Sequence, residues 1–259
     1  MKFRILCLLF VFAVSCSVPA VKVEVKKPGK DANVSVLKEF FVRSESDSVR
    51  AGAVIEKHNI IQQLTHLRLM DTGGKKFYLL ERENITEMIN SVTEGIYLDY
   101  VLINKHGDII YTRNNDSLFG TNVNEGYEET PLKKCFAMRR GVYFEDVSLL
   151  TPTSSVYSLY VSTPVYVQQK FHGILVLQID IFKINEILEK DTEIVNRKGI
   201  IKIAADTAKI NSLMPGYSKI NPDEIDRKAG IKIGGGNTDF DLKSFRFNSI
   251  SWILVKKKA

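Results

Sequence analysis

Cysteine is nearly missing from this chain. There are three in 259 residues, and two of them, Cys7 and Cys16, lie at the very start. Cys135 is the only one in the body of the sequence, so no internal disulfide is possible there and the fold rests on packing. A chain of this length buries an adequate core without such staples. Cys135 itself reads as a small buried apolar residue on a helix, with a reactive thiol as the other possibility. Histidine is also scarce. His58 and His66 are the nearest pair, about 12 Å apart along a helix at 1.5 Å per residue, too far to share a metal. His-Glu-x-x-His, Gly-x-Ser-x-Gly and phosphate-loop motifs are missing, and Gly234-Gly235-Gly236 is not followed by Lys-Ser/Thr. Glu128-Glu129 and Glu145-Asp146 are sequence neighbours; in a strand such neighbours point to opposite faces, which suits no acid–base pair. The reading is therefore a non-enzyme with no cofactor and no metal.

Long apolar runs and one-sided charge are lacking too. Past residue 16 no apolar stretch reaches the length a membrane helix needs. Ile174–Phe182 is interrupted by Gln178 and Asp180 and reads as a buried strand. The chain has 36 basic and 30 acidic residues, and losing Lys2 and Arg4 would lower its net charge from +6 to +4. No basic stripe carries interleaved aromatics, so nucleic acid is not an expected partner. Small basic clusters at Lys22, Lys26 and Lys27 and at Lys256–Lys258 read as solubilising ends or as contacts for anionic headgroups.

What is present begins with the leader. Lys2 and Arg4 precede about eleven apolar residues, too few to span a bilayer, so residues 1–15 read as a signal peptide. Ala13-Val14-Ser15-Cys16 resembles a bacterial lipobox, in which the cysteine is lipidated and becomes the new N-terminus; Ala13 stands where that motif prefers Leu. Ordinary cleavage near Val18-Pro19-Ala20 would discard Cys16 instead. Residues 16–33, with Pro19, Pro28 and Gly29, form a tether.

From Val34 to about Met70 the apolar residues fall at helical spacing: Leu37, Phe40, Phe41, Ala51, Val54, Ile55, Ile61, Leu64 and Leu67. The polar stretch Ser44–Ser48 is the expected place for a bend or break. A second helix is predicted over Tyr78–Thr93. The period then changes to that of strands, at 96–104 and 109–112 around a turn at Lys105–Asp108, and at 142–149, 156–167 and 171–180. Short helices are predicted from Pro131 to Arg140 and over 181–190. Leu102-Ile103-Asn104-Lys105-His106-Gly107-Asp108-Ile109 is echoed by Ile194-Val195-Asn196-Arg197-Lys198-Gly199-Ile200-Ile201. The echo reads as an internal structural repeat, a second and shorter module opening with the same hairpin, or as a chance match of two turns. Strands near 230–234, 240–247 and 250–256 end the chain.

The order of these elements resembles the double Cache domain, a PAS-like extracytoplasmic sensor. The residues that carry the likeness are the Asn104–Ile110 hairpin, the Phe119-Gly120-Thr121-Asn122-Val123 loop, the Gly173–Ile181 strand and the final Ile250–Val255 strand. The resemblance implies an α+β fold: a long N-terminal helix and two antiparallel-sheet modules, the second smaller. The distal module would span 34–190 and the membrane-proximal one 191–259. It further implies that a small polar metabolite of the amino acid, amine or organic acid class binds in the distal module. Relatives pass the signal through a membrane helix to an output domain. This sequence shows neither, so a separate signalling protein is the expected recipient, and a homodimer through the long helix is the expected assembly. The protein would be lipid-anchored in the bacterial cell envelope, facing periplasm or exterior. A structural or surface-interaction lipoprotein with a degenerate, ligand-free version of the fold is the alternative.

The Arg-x-Trp-Tyr stretch of amino-acid-binding relatives is not found at Thr130-Pro131-Leu132-Lys133. Asp180 matches their amine-contacting Asp, and equally suits a helix N-cap. Tyr111, Arg113, Tyr143, Tyr157 and Tyr160 complete the expected pocket, as aromatics packing a ligand and a polar group orienting it; each tyrosine is also readable as an ordinary sheet residue. Arg139 and Arg140 read as cations at a helix C-terminus.

Overall fold

The apolar stripe from Leu37 to Ile55 folds as a helix, α1 (Ala32–Lys57), and buries that stripe against two sheets. In the computed structural model residues 32–70, 74–94, 97–125, 129–151, 156–219, 221–227, 231–234 and 239–257 are described. The expectations for the signal peptide, Cys16, the tether up to residue 31, Glu128 and the turn after Gly234 lie outside them.

The polar stretch Ser44–Ser48 does not break the helix. Ser44, Asp47 and Ser48 are buried with the stripe. Helix continuity there follows from partners. Asp47 accepts hydrogen bonds from the Tyr97 hydroxyl (2.8 Å) and the Glu94 amide (3.4 Å) and pairs with Arg50. Ser48 shares a hydrogen bond with Thr163. The break comes later, at Asn59, whose φ of 50° no helix accepts. There follow α2 (Ile60–Met70) and α3 (Gly74–Asn90), the latter starting four residues earlier than the periodicity predicts. Among the described residues no helix is long and apolar enough to cross a membrane.

The first sheet contains β1 (Tyr97–Asn104), β2 (Ile109–Thr112), β3 (Tyr143–Leu149), β4 (Tyr157–Val167) and β5 (Lys170–Asp180) in the order β2-β1-β5-β4-β3, all antiparallel. Between β2 and β3 lies α4 (Pro131–Ala137), with Thr130 as N-cap and Pro131 in its first turn. After β5 comes α5 (Ile181–Ile187), capped by Asp180. The second sheet contains β6 (Thr192–Asn196), β7 (Ile201–Ile203), β8 (Ile231–Gly234), β9 (Asp239–Phe247) and β10 (Ile250–Lys257), in the order β7-β6-β10-β9-β8. Its connection carries two 3₁₀ turns and α6 (Pro222–Arg227).

The two sheets have the same strand order, and their opening hairpins match bond for bond. Asn104 Oδ1 accepts from the amides of His106 (2.9 Å) and Asp108 (3.0 Å); Asn196 Oδ1 accepts from Lys198 (2.9 Å) and Ile200 (3.0 Å). Gly107 and Gly199 both take positive φ in these turns, where a side chain would be strained. The returning loops bind alike, Val123 N to Gly107 O and Met214 N to Gly199 O, each at 2.8 Å. The sequence echo is thus a structural repeat rather than a chance pair of turns.

α1 is the spine of both modules. At its start Asn33 Oδ1 accepts from the Glu189 amide (2.9 Å), and Asn33 Nδ2 donates to Thr192 Oγ1 (3.2 Å). At its middle the Phe41 ring meets Phe144, Phe245, Phe247 and Trp252 at centroid distances of 5.1–5.4 Å. Farther on, Gly52 lies against Thr163 of β4.

Candidate functional site

The face of the first sheet turned away from α1 carries an apolar cluster: Val101, Ile103, Ile174 and Val176 from the central strands, covered by Leu132, Cys135 and Phe136 of α4. Across it runs one row of polar residues. Asp99 is the Cα partner of Gln178, Gln178 of Tyr160, and Tyr160 of Glu145, so four adjacent strands each contribute one member. All four are buried, at 2%, 7%, 0% and 6% exposure. Charged and amide side chains reach such burial only when something satisfies them.

Most of the row is satisfied internally. Glu145 accepts from Lys134 Nζ of α4 and from the Tyr143 hydroxyl, both at 2.7 Å. Gln178 Nε2 donates to Ser158 Oγ at 2.8 Å. Asp99 stands beside a register shift in β1. Its Oδ1 accepts from three backbone amides, Tyr100 (2.7 Å), Arg113 (2.7 Å) and Asn114 (3.1 Å). Its other oxygen, Oδ2, is buried and has no hydrogen-bond partner among the described residues, while the buried Tyr160 hydroxyl has Ser158 beside it. The unpaired Asp99 Oδ2 and the Tyr160 hydroxyl therefore lie on one row, with Gln178 between them. Burial raises the Asp99 carboxyl above the ordinary carboxylate range, against the pull of its three amides. Burial also raises the Tyr160 hydroxyl, which stays protonated and can donate.

The remaining groups nearby are structural. Burial pushes the Cys135 thiol up to about 12, so it stays protonated and unreactive, in keeping with a packing role. Arg139 lies over the rings of Phe136 (4.2 Å) and Phe171 (5.2 Å) at the end of α4. Among the described residues no cluster of His, Cys, Asp or Glu is placed to hold a metal.

The six residues predicted to line one pocket do not share a face. Tyr143, Tyr160 and Asp180 lie on the α4 side. Asp180 accepts from the Phe182 amide (2.9 Å) as the α5 N-cap, and is half-buried two residues beyond Gln178. Tyr111 points the other way, stacking edge-on to Tyr78 of α3 (6.1 Å) and sharing a hydrogen bond with Thr86 (2.7 Å). The Arg113 guanidinium lies over Tyr100 (5.2 Å), also on the helix side; its amide bonds to the row, and its charge is felt by Asp99. Tyr157 packs against the α1 core. The reason is strand parity: Tyr157 and Tyr160 are an odd number of residues apart and must face opposite ways. Asp99, Gln178 and Glu145 are the members that the aromatic search passes over. The signal for Asp99 and Gln178 is a lone polar residue within an apolar run of an inner strand; Glu145, on the edge strand β3 beside Asp146, has no such signal.

β3 joins this face to the second module. Tyr143 and Glu145 face the row. The alternate residue Asp146 accepts from Trp252 Nε1 (2.8 Å), and Phe144 packs on Phe41 (5.1 Å). Lys202 Nζ donates to Val147 O (2.9 Å), and Asn248 Nδ2 to Val142 O (2.9 Å).

No protein-family model and no curated protein sequence matches the chain. Solved structures do. The sensor domain of the V. cholerae histidine kinase DctB is 14% identical, with 88% of this chain and 96% of that one covered at a TM-score of 0.57. The ligand-binding domain of the Campylobacter jejuni chemoreceptor Tlp3, in complex with L-norvaline, is 12% identical, with 88% and 86% covered at 0.58. An extracellular ligand binding receptor from Desulfohalobium retbaense is 12% identical over 88% of this chain at 0.57; the chain spans 39% of that protein's length. At these identities the likeness is one of fold: the chain has the two-module Cache-type fold of sensor and ligand-binding domains.

Proposed function

We propose that this chain is an extracytoplasmic small-molecule-binding protein of the sensor type, with its site at the Asp99–Gln178–Tyr160 row of the first module. The observation that carries the reading is the orphaned Asp99 Oδ2, on the same row as the buried Tyr160 hydroxyl. A buried polar atom left unpaired costs about 1–3 kcal/mol, more when charged. A ligand donor would recover that cost. Asp99 offers an acceptor carrying negative charge, so the preferred ligand presents an ammonium group, as an amine or amino acid does. The L-norvaline of the Tlp3 complex belongs to that class and supports it by analogy of fold. β3 would carry the effect of binding to the second module, since its alternate residues hold both, and a separate partner protein would receive it.

A second reading keeps the fold without a ligand. It is favoured by Leu132, Cys135, Phe136 and Leu150, which pack onto the same face. A thermal-shift screen of amines, amino acids and organic acids separates the two. A ligand at a hundredfold excess over its Kd stabilises the folded state by about 2.7 kcal/mol. The sensor reading expects a saturable shift with an amine-bearing compound that Asp99→Ala abolishes. A flat screen on well-folded protein supports the ligand-free reading.

The site also sets a pH dependence. An ammonium ligand needs Asp99 ionised. Its carboxyl titrates above the usual range, so affinity should fall as pH drops through that raised value while the ligand stays protonated. The sign for stability is opposite. Without ligand, the raised carboxyl favours folding below its folded pKa and disfavours it above, so wild-type protein should gain stability on Asp99→Asn as pH increases. Affinity and melting-curve series from acid to neutral pH check both signs.

We further propose that Cys16 carries the lipid that holds the protein to its membrane, on the strength of the Ala13-Val14-Ser15-Cys16 motif. Metabolic labelling with an alkynyl fatty acid should mark the wild-type chain and leave Cys16→Ala unmarked. An unlabelled wild type cleaved near Ala20 would remove the anchor.

A further inference from the structure

The polar row of the first module has a counterpart in the second, and there it borders an open cavity. Asp191 follows Asp99, which is inside β1, by 92 residues and lies just before β6. Its carbonyl accepts from the Lys257 amide (3.1 Å), and Lys257 is the Cα partner of Phe240. The series Asp191–Lys257–Phe240 thus follows the register of Asp99–Gln178–Tyr160, with Asp191 just outside its strand. In the first module α4 packs onto the face beside the row. In the second the corresponding space is a cavity of about 360 Å³ lined by all three residues.

The walls of that cavity divide by chemistry. Met214, Pro215, Phe240 and Val255 supply an apolar floor. The rim carries three carboxylates, Asp191, Glu193 and Asp206, against two ammonium groups, Lys209 and Lys257. Lys209 is held by Glu193 at 2.8 Å, which neutralises that pair. Lys209 also feels the Asp206 charge, and the rim as a whole carries one more negative than positive group.

We infer that the second module holds a separate binding site for a small organic monocation, an ammonium group on a branched or aromatic apolar body. The body would lie on Phe240 and Met214, and the ammonium between Asp191 and Asp206. This site does not depend on the Asp99 row, and either can fail without the other.

Isopentylamine is the probe, with isopentanol as its uncharged isostere, titrated calorimetrically into the full chain. Asp191→Asn combined with Asp206→Asn removes rim charge and keeps shape: both residues are exposed, Asn tolerates the positive φ at 191, and it can still cap the turn at Ala208. The expected result is saturable amine binding, at least tenfold weaker in the double variant, retained in Asp99→Ala, and not reproduced by isopentanol. The inference is overturned by any one of three results: no saturable binding to wild type, equal affinity in the double variant, or loss in Asp99→Ala with none in the double variant.

Discussion

Replacing Phe41 by alanine is expected to cost about 3–5 kcal/mol, the usual range for truncating a buried aromatic. The expectation rests on position. Phe41 is fully buried at the middle of α1, and its ring touches Phe144 of the first module and Phe245, Phe247 and Trp252 of the second. No single wall can collapse into the vacated space without pulling on both sheets, so the cavity term should stay near the top of its range. Trp252 is the only tryptophan in the chain and lies 5.4 Å from Phe41, so its fluorescence reports the damage directly. Denaturant unfolding followed by that signal measures the loss. A cost below about 1 kcal/mol would mean that the junction is not packed as described.

Gly173→Ala is expected to cost about 3 kcal/mol or more, although it adds a single methyl group. Gly173 opens the buried stretch of β5, the central strand of the first sheet, and pairs with Asn104 of β1. A Cβ there would lie 2.1 Å from the carbonyl oxygen of Ile103 and 3.0 Å from the Asn104 Cα. Both are backbone atoms of a neighbouring strand, so no side-chain rotation relieves the contact and the β1–β5 ladder must part locally. Overpacking in a core ordinarily costs about 1–3 kcal/mol; loss of ladder bonds at this point adds to it. Gly141→Ala is the control, since a Cβ there meets nothing within 4 Å. Equal stability of the two variants would show that β1 and β5 do not approach as closely as the geometry requires.

Much of this architecture was legible because it depends on period. Strand alternation placed β1, β3, β4, β5, β9 and β10 within about a residue of their observed ends. The Asn-x-x-Gly echo was a reliable mark of the repeat because both turns depend on the same side-chain oxygen and the same left-handed glycine. The helix break was misplaced for an identifiable reason. Ser44–Ser48 is polar, and polarity on a stripe reads as exposure. Here Tyr97, Glu94 and Thr163, distant in sequence, and Arg50 one turn along the helix supply the partners that let Asp47 and Ser48 go inside.

The candidate site was less legible. Tyr143, Tyr160 and Asp180 fall on its face; Tyr111, Arg113 and Tyr157 do not. A search for aromatics cannot tell the two faces of a sheet apart, whereas parity can, and Tyr157 against Tyr160 was decidable from numbering. Asp99 and Gln178 each interrupt an apolar strand. That they meet across one row depends on the β1–β5 register and the shift between Tyr97 and Asp99, which no local pattern encodes.

The most direct test of a ligand-binding first module is a crystal structure with an amine-bearing hit from the thermal-shift screen. The account predicts density for the ligand on the α4 side of the first sheet, its nitrogen within hydrogen-bond distance of Asp99 Oδ2 and a second polar atom near the Tyr160 hydroxyl. An ordered water on Asp99 Oδ2, with the ligand elsewhere or unbound, would contradict it.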